Sequence, residues 1–153
     1  MLSKKIIKIE SKIEGIGIFA AENIKKGEIV AIFEGRKISK TEADELYTKG
    51  FDYLLQIDTE LFLYLEEDSK FINHCCNPNT SFLLQNGELI ALRDINKNEE
   101  ITFDYSTNEN TDFIIENCRC NSPNCRKKIK KYSETIFDYD AIISPYLKVD
   151  PKH

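Results

Sequence analysis

The chain has 153 residues, 41% of them hydrophobic and 31% charged, which suits one soluble domain with its own core and leaves little room for a second. A formal net charge of −5 argues against duplex nucleic acid as a direct partner and favours a basic one, such as a lysine-rich peptide. There is no apolar run of membrane-spanning length and no signal sequence at Met1, so an intracellular protein, cytoplasmic or nuclear, is expected, and its five cysteines point to thiols or a metal rather than disulfides.

Ile6 to Ile13 alternates isoleucine with charged residues, the period of a half-buried strand. In Glu14-Gly-Ile-Gly-Ile-Phe-Ala20 the two glycines permit a tight turn and close backbone approach to a ligand, although a plain hairpin gives the same pattern. The strand–turn–helix setting of a dinucleotide fingerprint is missing, because Asn23 to Gly27 reads as a further turn. Glu28 to Phe33 is a short β-rich run ended by Gly35. Thr41 to Lys49 is the best helix candidate: Ser39 or Thr41 can cap it, acids lie early, and Gly50 stops it.

Phe51 to Ile57 and Leu61 to Leu65 read as strands. Phe82 to Leu84 and Leu89 to Leu92 flank Gln85-Asn-Gly-Glu88, whose Asn-Gly pair suits a type I′ hairpin. Asp94 to Glu99 is a polar turn, and Ile101 to Tyr105 another short strand. Many short strands and few helices predict a mostly β domain rather than a doubly wound α/β fold. After a polar link at Thr107 to Asp112 come a cysteine cluster, a basic run at Lys127 to Lys131, and a stretch from Ile136 to Leu147 that reads as a helix broken before Pro145.

Chemistry concentrates in Phe71-Ile-Asn-His-Cys-Cys-Asn-Pro-Asn79. Asn-Pro closes the run as a turn, and Phe71-Ile72 ends a buried segment, so Asn73 and His74 leave the core still anchored to it. Downstream, Cys118-Arg-Cys-Asn-Ser-Pro-Asn-Cys125 supplies three thiols, one short of a tetrahedral zinc site. Cys75-Cys76 is the leftover pair. Neighbours in an extended segment point opposite ways, so one of the two can join the metal while the other faces away. Three free thiols in a surface loop are the duller alternative, but their clustering has no packing reason. Four thiolates make a closed, structural site, which disfavours a zinc hydrolase needing an open metal position.

Together with Glu100-Ile-Thr-Phe-Asp-Tyr105, and with Gly15-Ile-Gly-Ile-Phe-Ala20 ahead of Ile24-Lys-Lys-Gly27, these motifs resemble in order the core of the SET-domain protein lysine methyltransferases and their post-SET zinc loop. The resemblance implies a mostly β fold of several small sheets with a pseudoknot. It divides the chain into a SET domain over 6–106, a zinc loop over 114–130, and a C-terminal extension over 131–153 packed on the same domain. The implied reaction moves a methyl group from S-adenosylmethionine, leaving S-adenosylhomocysteine, to a lysine of a protein or lysine-rich peptide, a histone tail among the candidates. Neither direct nucleic-acid binding nor a membrane partner is expected.

Carried over motif by motif, the backbone at Ile16 and Gly17 would bind the cofactor with Tyr53, Lys70, Asn73, His74 and Ile129. Tyr105 would be the catalytic phenol at the base of a lysine channel that Phe33 and Phe103 also line. Cys76, rather than Cys75, would complete one zinc site with Cys118, Cys120 and Cys125. Phe103 resembles the residue of members that add two or three methyl groups. Asp104 would pair with His74 or cap a turn. Three positions depart from the family pattern. Phe33 stands where a tyrosine is common, Lys70 replaces an arginine without its fork geometry, and Cys75 replaces a serine. Phe33 supports the alternative, a catalytically weak SET module that holds lysine-containing peptides as a scaffold.

Overall fold

The computed structural model describes residues 5–58, 60–65, 68–83, 87–107 and 115–130. Among these are ten short strands in three small sheets and a single α-helix.

The first sheet runs β1-β2-β10-β7. β1 (Ile6–Glu10) and β2 (Ile16–Ala20) form an antiparallel hairpin with Ile6 opposite Ala20 and Glu10 opposite Ile16. Ile18 of β2 faces Ile101 of β10 (Glu100–Phe103), and both are fully buried, so this side of the sheet makes the main core. Side-chain alternation then sends Ile7 and Ile9 to the opposite side, where they are 44% and 45% exposed. The alternation marks the strand correctly, but Ile7 and Ile9 point outward while Ile6 packs against the core. Lys8 shares the side of Ile18 and reaches Asp68 at 2.6 Å.

β10 also pairs with β7 (Asn73–His74), in parallel, with Thr102 opposite Asn73 and Phe103 opposite His74. A parallel pair needs a long crossover. Residues 75–99 supply it, and they carry β8 (Thr80–Leu83) and β9 (Glu88–Ala91) of the second sheet, ordered β3-β9-β8 with β3 at Ile29–Ile32. Leu83 lies opposite Glu88, so residues 84–87 separate the paired positions, whereas a two-residue Asn-Gly turn would pair Gln85 with Glu88; residues 84–86 are outside the described set, and Gly87, at φ +68°, donates its N–H to the Leu83 carbonyl at 3.0 Å. Asn79 locks the crossover to β10. Its amide accepts from the Thr102 N–H at 2.9 Å and donates to the Glu100 carbonyl at 2.7 Å.

The third sheet, β4-β6-β5, corrects one expectation. Gly35 does not end a run but begins β4 (Gly35–Ser39), which pairs with β6 (Leu61–Leu65), itself paired with β5 (Leu54–Asp58). A Cβ at Gly35 would overlap the backbone carbonyl of Tyr64, so the glycine permits a close approach of two chains. α1 (Lys40–Thr48) follows at once, with Ser39 Oγ accepting from the Glu42 N–H at 3.2 Å and Gly50 closing the far end at φ +78°. Its Ala43 joins Ile38, Leu54 and Phe62 in a small second core.

β10 stops at Phe103, short of the expected Tyr105. Asp104 Oδ1 accepts from both the N–H and the hydroxyl of Ser106, at 3.0 and 2.8 Å, and this pulls Tyr105–Thr107 into a 3₁₀ turn. The helix expected at Ile136 to Leu147, the extension over 131–153 and most of the link after Thr107 lie outside the described residues. No described helix is long and apolar enough to cross a membrane.

Candidate active site

A cavity of about 650 Å³ opens where the β1–β2 turn, the start of β5, the segment from Ser69 to His74, the end of β10 and residues 115–119 converge. That is the size of a typical small-molecule site. Phe33, Phe103 and Tyr105 line it together. Phe33 meets Phe103 edge-on with centroids 5.7 Å apart, and Phe103 tilts against Tyr105 at 4.8 Å. The Tyr105 hydroxyl donates to the Ile72 carbonyl at 2.8 Å. With its proton committed there, the phenol oxygen keeps lone pairs for a donor in the cavity.

Asn73 and His74 come from β7, held by its pairing to β10. The Asn73 amide nitrogen donates to Glu100 Oε1 at 2.9 Å and to the carbonyls of Glu14 and Ile16 at 3.1 and 3.2 Å. His74 Nδ1 accepts the Tyr105 backbone N–H at 3.2 Å, which puts the ring proton on Nε2, 3.4 Å from Cys76 Sγ. Burial pushes the imidazole down to about 4 despite Asp104 nearby, so the ring is neutral and the 3.5 Å approach to Asp104 is not an ion pair. Ser69, 1% exposed, lines the same cavity with a hydroxyl that has no hydrogen-bond partner among the described residues.

Beside this wall, the sulfurs of Cys76, Cys118, Cys120 and Cys125 all lie within 4.8 Å of one another, and Cys76 Sγ is 3.9 Å from Cys118 Sγ. Zn–S bonds of about 2.3 Å require sulfur separations of about 3.8 Å, so the four fit a tetrahedral thiolate site. Cys75 is not one of the four: its Sγ accepts from the Asn77 N–H at 3.4 Å, and burial pushes its thiol up to about 11. Burial opposes ionisation of Cys120 too, but the Ser122 hydroxyl and neighbouring donors outweigh it and hold that thiol near 6. Cys76 Sγ accepts the Arg126 N–H at 3.3 Å as well as facing His74 Nε2, the kind of support that orients a metal-bound thiolate.

The sequence matches the SET domain over residues 15–106. The chain belongs to the SET domain family. It is 36% identical over 146 residues to histone-lysine N-methyltransferase set1 of Dictyostelium discoideum, covering 82% of this chain and 9% of that protein. It is 35% identical over 132 residues to the variant-silencing SET domain-containing protein of Plasmodium falciparum, covering 72% and 5%. With the H3 lysine-4 specific histone-lysine N-methyltransferase of Schizosaccharomyces pombe it shares 34% over 131 residues, covering 76% and 14%. The chain therefore spans only a small part of the length of these curated relatives.

Within this SET domain, the residues expected around the cofactor fall in different places. Ile16, Lys70, Asn73 and His74 line the cavity, and so does Tyr53, whose ring lies 5.3 Å from Lys70 Nζ and is 40% exposed. Gly17 is buried outside the cavity wall, where a Cβ would overlap the Glu100 carboxylate. Ile129, 1% exposed, packs on Cys76 and Cys118, and it is Ile115, bridged to it, that lines the cavity.

Sequence reasoning missed Arg126. It lies between Cys125 and the basic run at Lys127 to Lys131, and its guanidinium bonds Asp104 Oδ2 at 2.6 Å and the Ser106 hydroxyl at 3.1 Å. Burial works against its charge, and Asp104 and Cys76 outweigh that and raise its pKa. Asp104 thus caps the turn with one oxygen and pairs with Arg126, not His74, through the other. The one available signal was position, since Arg126 follows Cys125 directly. At the cavity mouth Arg119 approaches Glu14 at 3.5 Å, an exposed pair joining the cysteine loop to the glycine turn and worth little by itself.

Proposed function

We propose that this SET domain transfers a methyl group from S-adenosylmethionine to the side-chain amine of a protein lysine. The observation that carries the reading is the convergence of the Tyr105 phenol, the Asn73 amide and an apolar Phe33–Phe103 wall on one cavity. The unpartnered Ser69 hydroxyl and the accessible Asn73 Oδ1 give a polar ligand something to bind, and the Lys70 ammonium suits its carboxylate.

When bound, S-adenosylmethionine would supply an electrophilic methyl carbon on a sulfonium, to which the lysine nitrogen's lone pair would bond as the C–S electrons leave with sulfur as a neutral thioether. The chain's own residues prepare the nucleophile. An apolar channel disfavours ammonium, so the lysine enters reaction as the neutral amine. Tyr105 Oη, its proton already given to Ile72, accepts an N–H of that amine and fixes the direction of its lone pair, and methyl C–H groups are weak donors to the same oxygen. Alignment of this kind supplies much of the rate. Cys76, Cys118, Cys120 and Cys125 would hold one structural zinc ion, tying the 115–130 loop to β7 beside the cavity without entering the chemistry.

Relatives carry histone-lysine names, so a histone H3 tail is the first substrate to test, and such a substrate would place the protein in a nucleus. The protein incubated with labelled S-adenosylmethionine and H3 peptide should label lysine, and Tyr105→Phe should abolish the label. Binding of S-adenosylhomocysteine without transfer to any protein would instead favour the scaffold reading that Phe33 raises.

A further inference from the structure

The three hydrogen bonds of the Asn73 amide all leave from Nδ2, and all end on oxygens that only accept: two backbone carbonyls and the Glu100 carboxylate. Turning the amide over would set Oδ1 against those acceptors, so its orientation is fixed. Oδ1 faces the other way, with no partner among the described residues, on a side chain that lines the cavity.

We propose that Glu100 is a positioning residue for cofactor recognition: its carboxylate aims Asn73 Oδ1 into the cavity as the acceptor for the α-ammonium group of the methyl donor. The inference rests on the methyltransferase reading. Glu100 is outside the cavity wall and acts through Asn73. The same oxygen accepts from Ser11 Oγ at 2.7 Å, and Ser11 in turn accepts the Ile13 N–H at 2.9 Å while its own N–H reaches the Gly15 carbonyl at 2.9 Å. One carboxylate therefore fixes both Asn73 and the turn that brings Glu14, Gly15 and Ile16 to the cavity. This also explains Gly17. A Cβ there would overlap Glu100 Oε1 and lie 2.9 Å from the Ser11 Cβ, so the second glycine of the pair makes room for this contact rather than for the ligand.

The test compares calorimetric affinities for S-adenosylhomocysteine and for its analogue with hydrogen in place of the α-amino group. Wild-type protein should prefer the amine by about tenfold or more, the range of a hydrogen bond to a charged group. Glu100→Ala should lose much of that preference, because it removes one Asn73 acceptor and the Ser11 contact that holds the turn carrying the other two. Glu100→Gln, which keeps an acceptor oxygen in place, should retain the preference, and Glu100→Asp, which folds with its charge but cannot reach Asn73, should lose it. A Glu100→Ala or Glu100→Asp protein that prefers the amine as strongly as wild type overturns the proposal. So does loss in Glu100→Gln equal to that in Glu100→Ala, since charge rather than aim would then be acting. Wild-type protein that binds neither compound overturns the methyltransferase reading itself.

Discussion

At the scale of single residues, two buried partnerships decide what the site tolerates. Tyr105 gives its proton to the Ile72 carbonyl at 2.8 Å, so Tyr105→Phe removes one neutral hydrogen bond and should cost about 1 kcal/mol of stability. Its effect on methyl transfer should be far larger, about a hundredfold or more, because the amine loses its orienting acceptor. Steady-state rates beside a urea titration separate the two, and near-normal turnover would remove Tyr105 from the chemistry. Arg126 and Asp104 form the second partnership, with side chains 13% and 1% exposed. Arg126→Met leaves a carboxylate buried without its cation and should cost about 3–5 kcal/mol, most of it recovered when Asp104→Asn is added. Additive losses in the double variant would contradict that account.

At the scale of elements, the third sheet depends on a chain approach that admits no side chain. Gly35→Ala should destabilise the protein by about 1–3 kcal/mol through the β4–β6 pairing, read as a lower melting temperature with α1 loosened. A neutral substitution would mean the strands separate at little cost. The polar turn before β10 has its own pH signature. Burial pushes the Glu99 carboxyl up, but Arg93, the Asn96 N–H and the Asn79 amide outweigh it and hold the group below its ordinary 4.5. A lowered folded-state pKa adds stability above the unfolded value and loses it as pH falls through the folded one. Wild type should therefore exceed Glu99→Gln in stability at pH 7, and the gap should close on acidification below 4.5. A gap independent of pH would assign the difference to packing.

At the scale of the whole molecule, four sulfurs join segments more than forty residues apart in the chain, since Cys76 and Cys118 are separated by 42 positions. A strong chelator that strips the proposed zinc should release the 115–130 loop, whose Ile115, Asn117, Cys118 and Arg119 form one side of the cavity, and so weaken S-adenosylhomocysteine binding until zinc is restored. Unchanged binding in verified metal-free protein would leave the loop with no such role. What was legible in the sequence is what neighbouring residues settle among themselves. Ser39 and Gly50 bound a helix, a thiol count one short of four looks elsewhere for its last ligand, and motifs in order name a family. Alternation in β1 established that successive side chains point apart, but which set meets the core depends on the strand beside it, and so Ile7 and Ile9 face outward. Gly17 and Gly35 looked like turn residues because the Glu100 carboxylate and the Tyr64 carbonyl that need their space come from elsewhere in the chain. Arg126 drew no expectation because its partner, Asp104, is 22 positions away. Local propensity and pattern thus determined the elements and the inventory of reactive groups. Only packing in three dimensions decided which of those groups meet, because hydrogen bonds, ion pairs and metal ligation depend on distances through space that spacing along the chain does not contain.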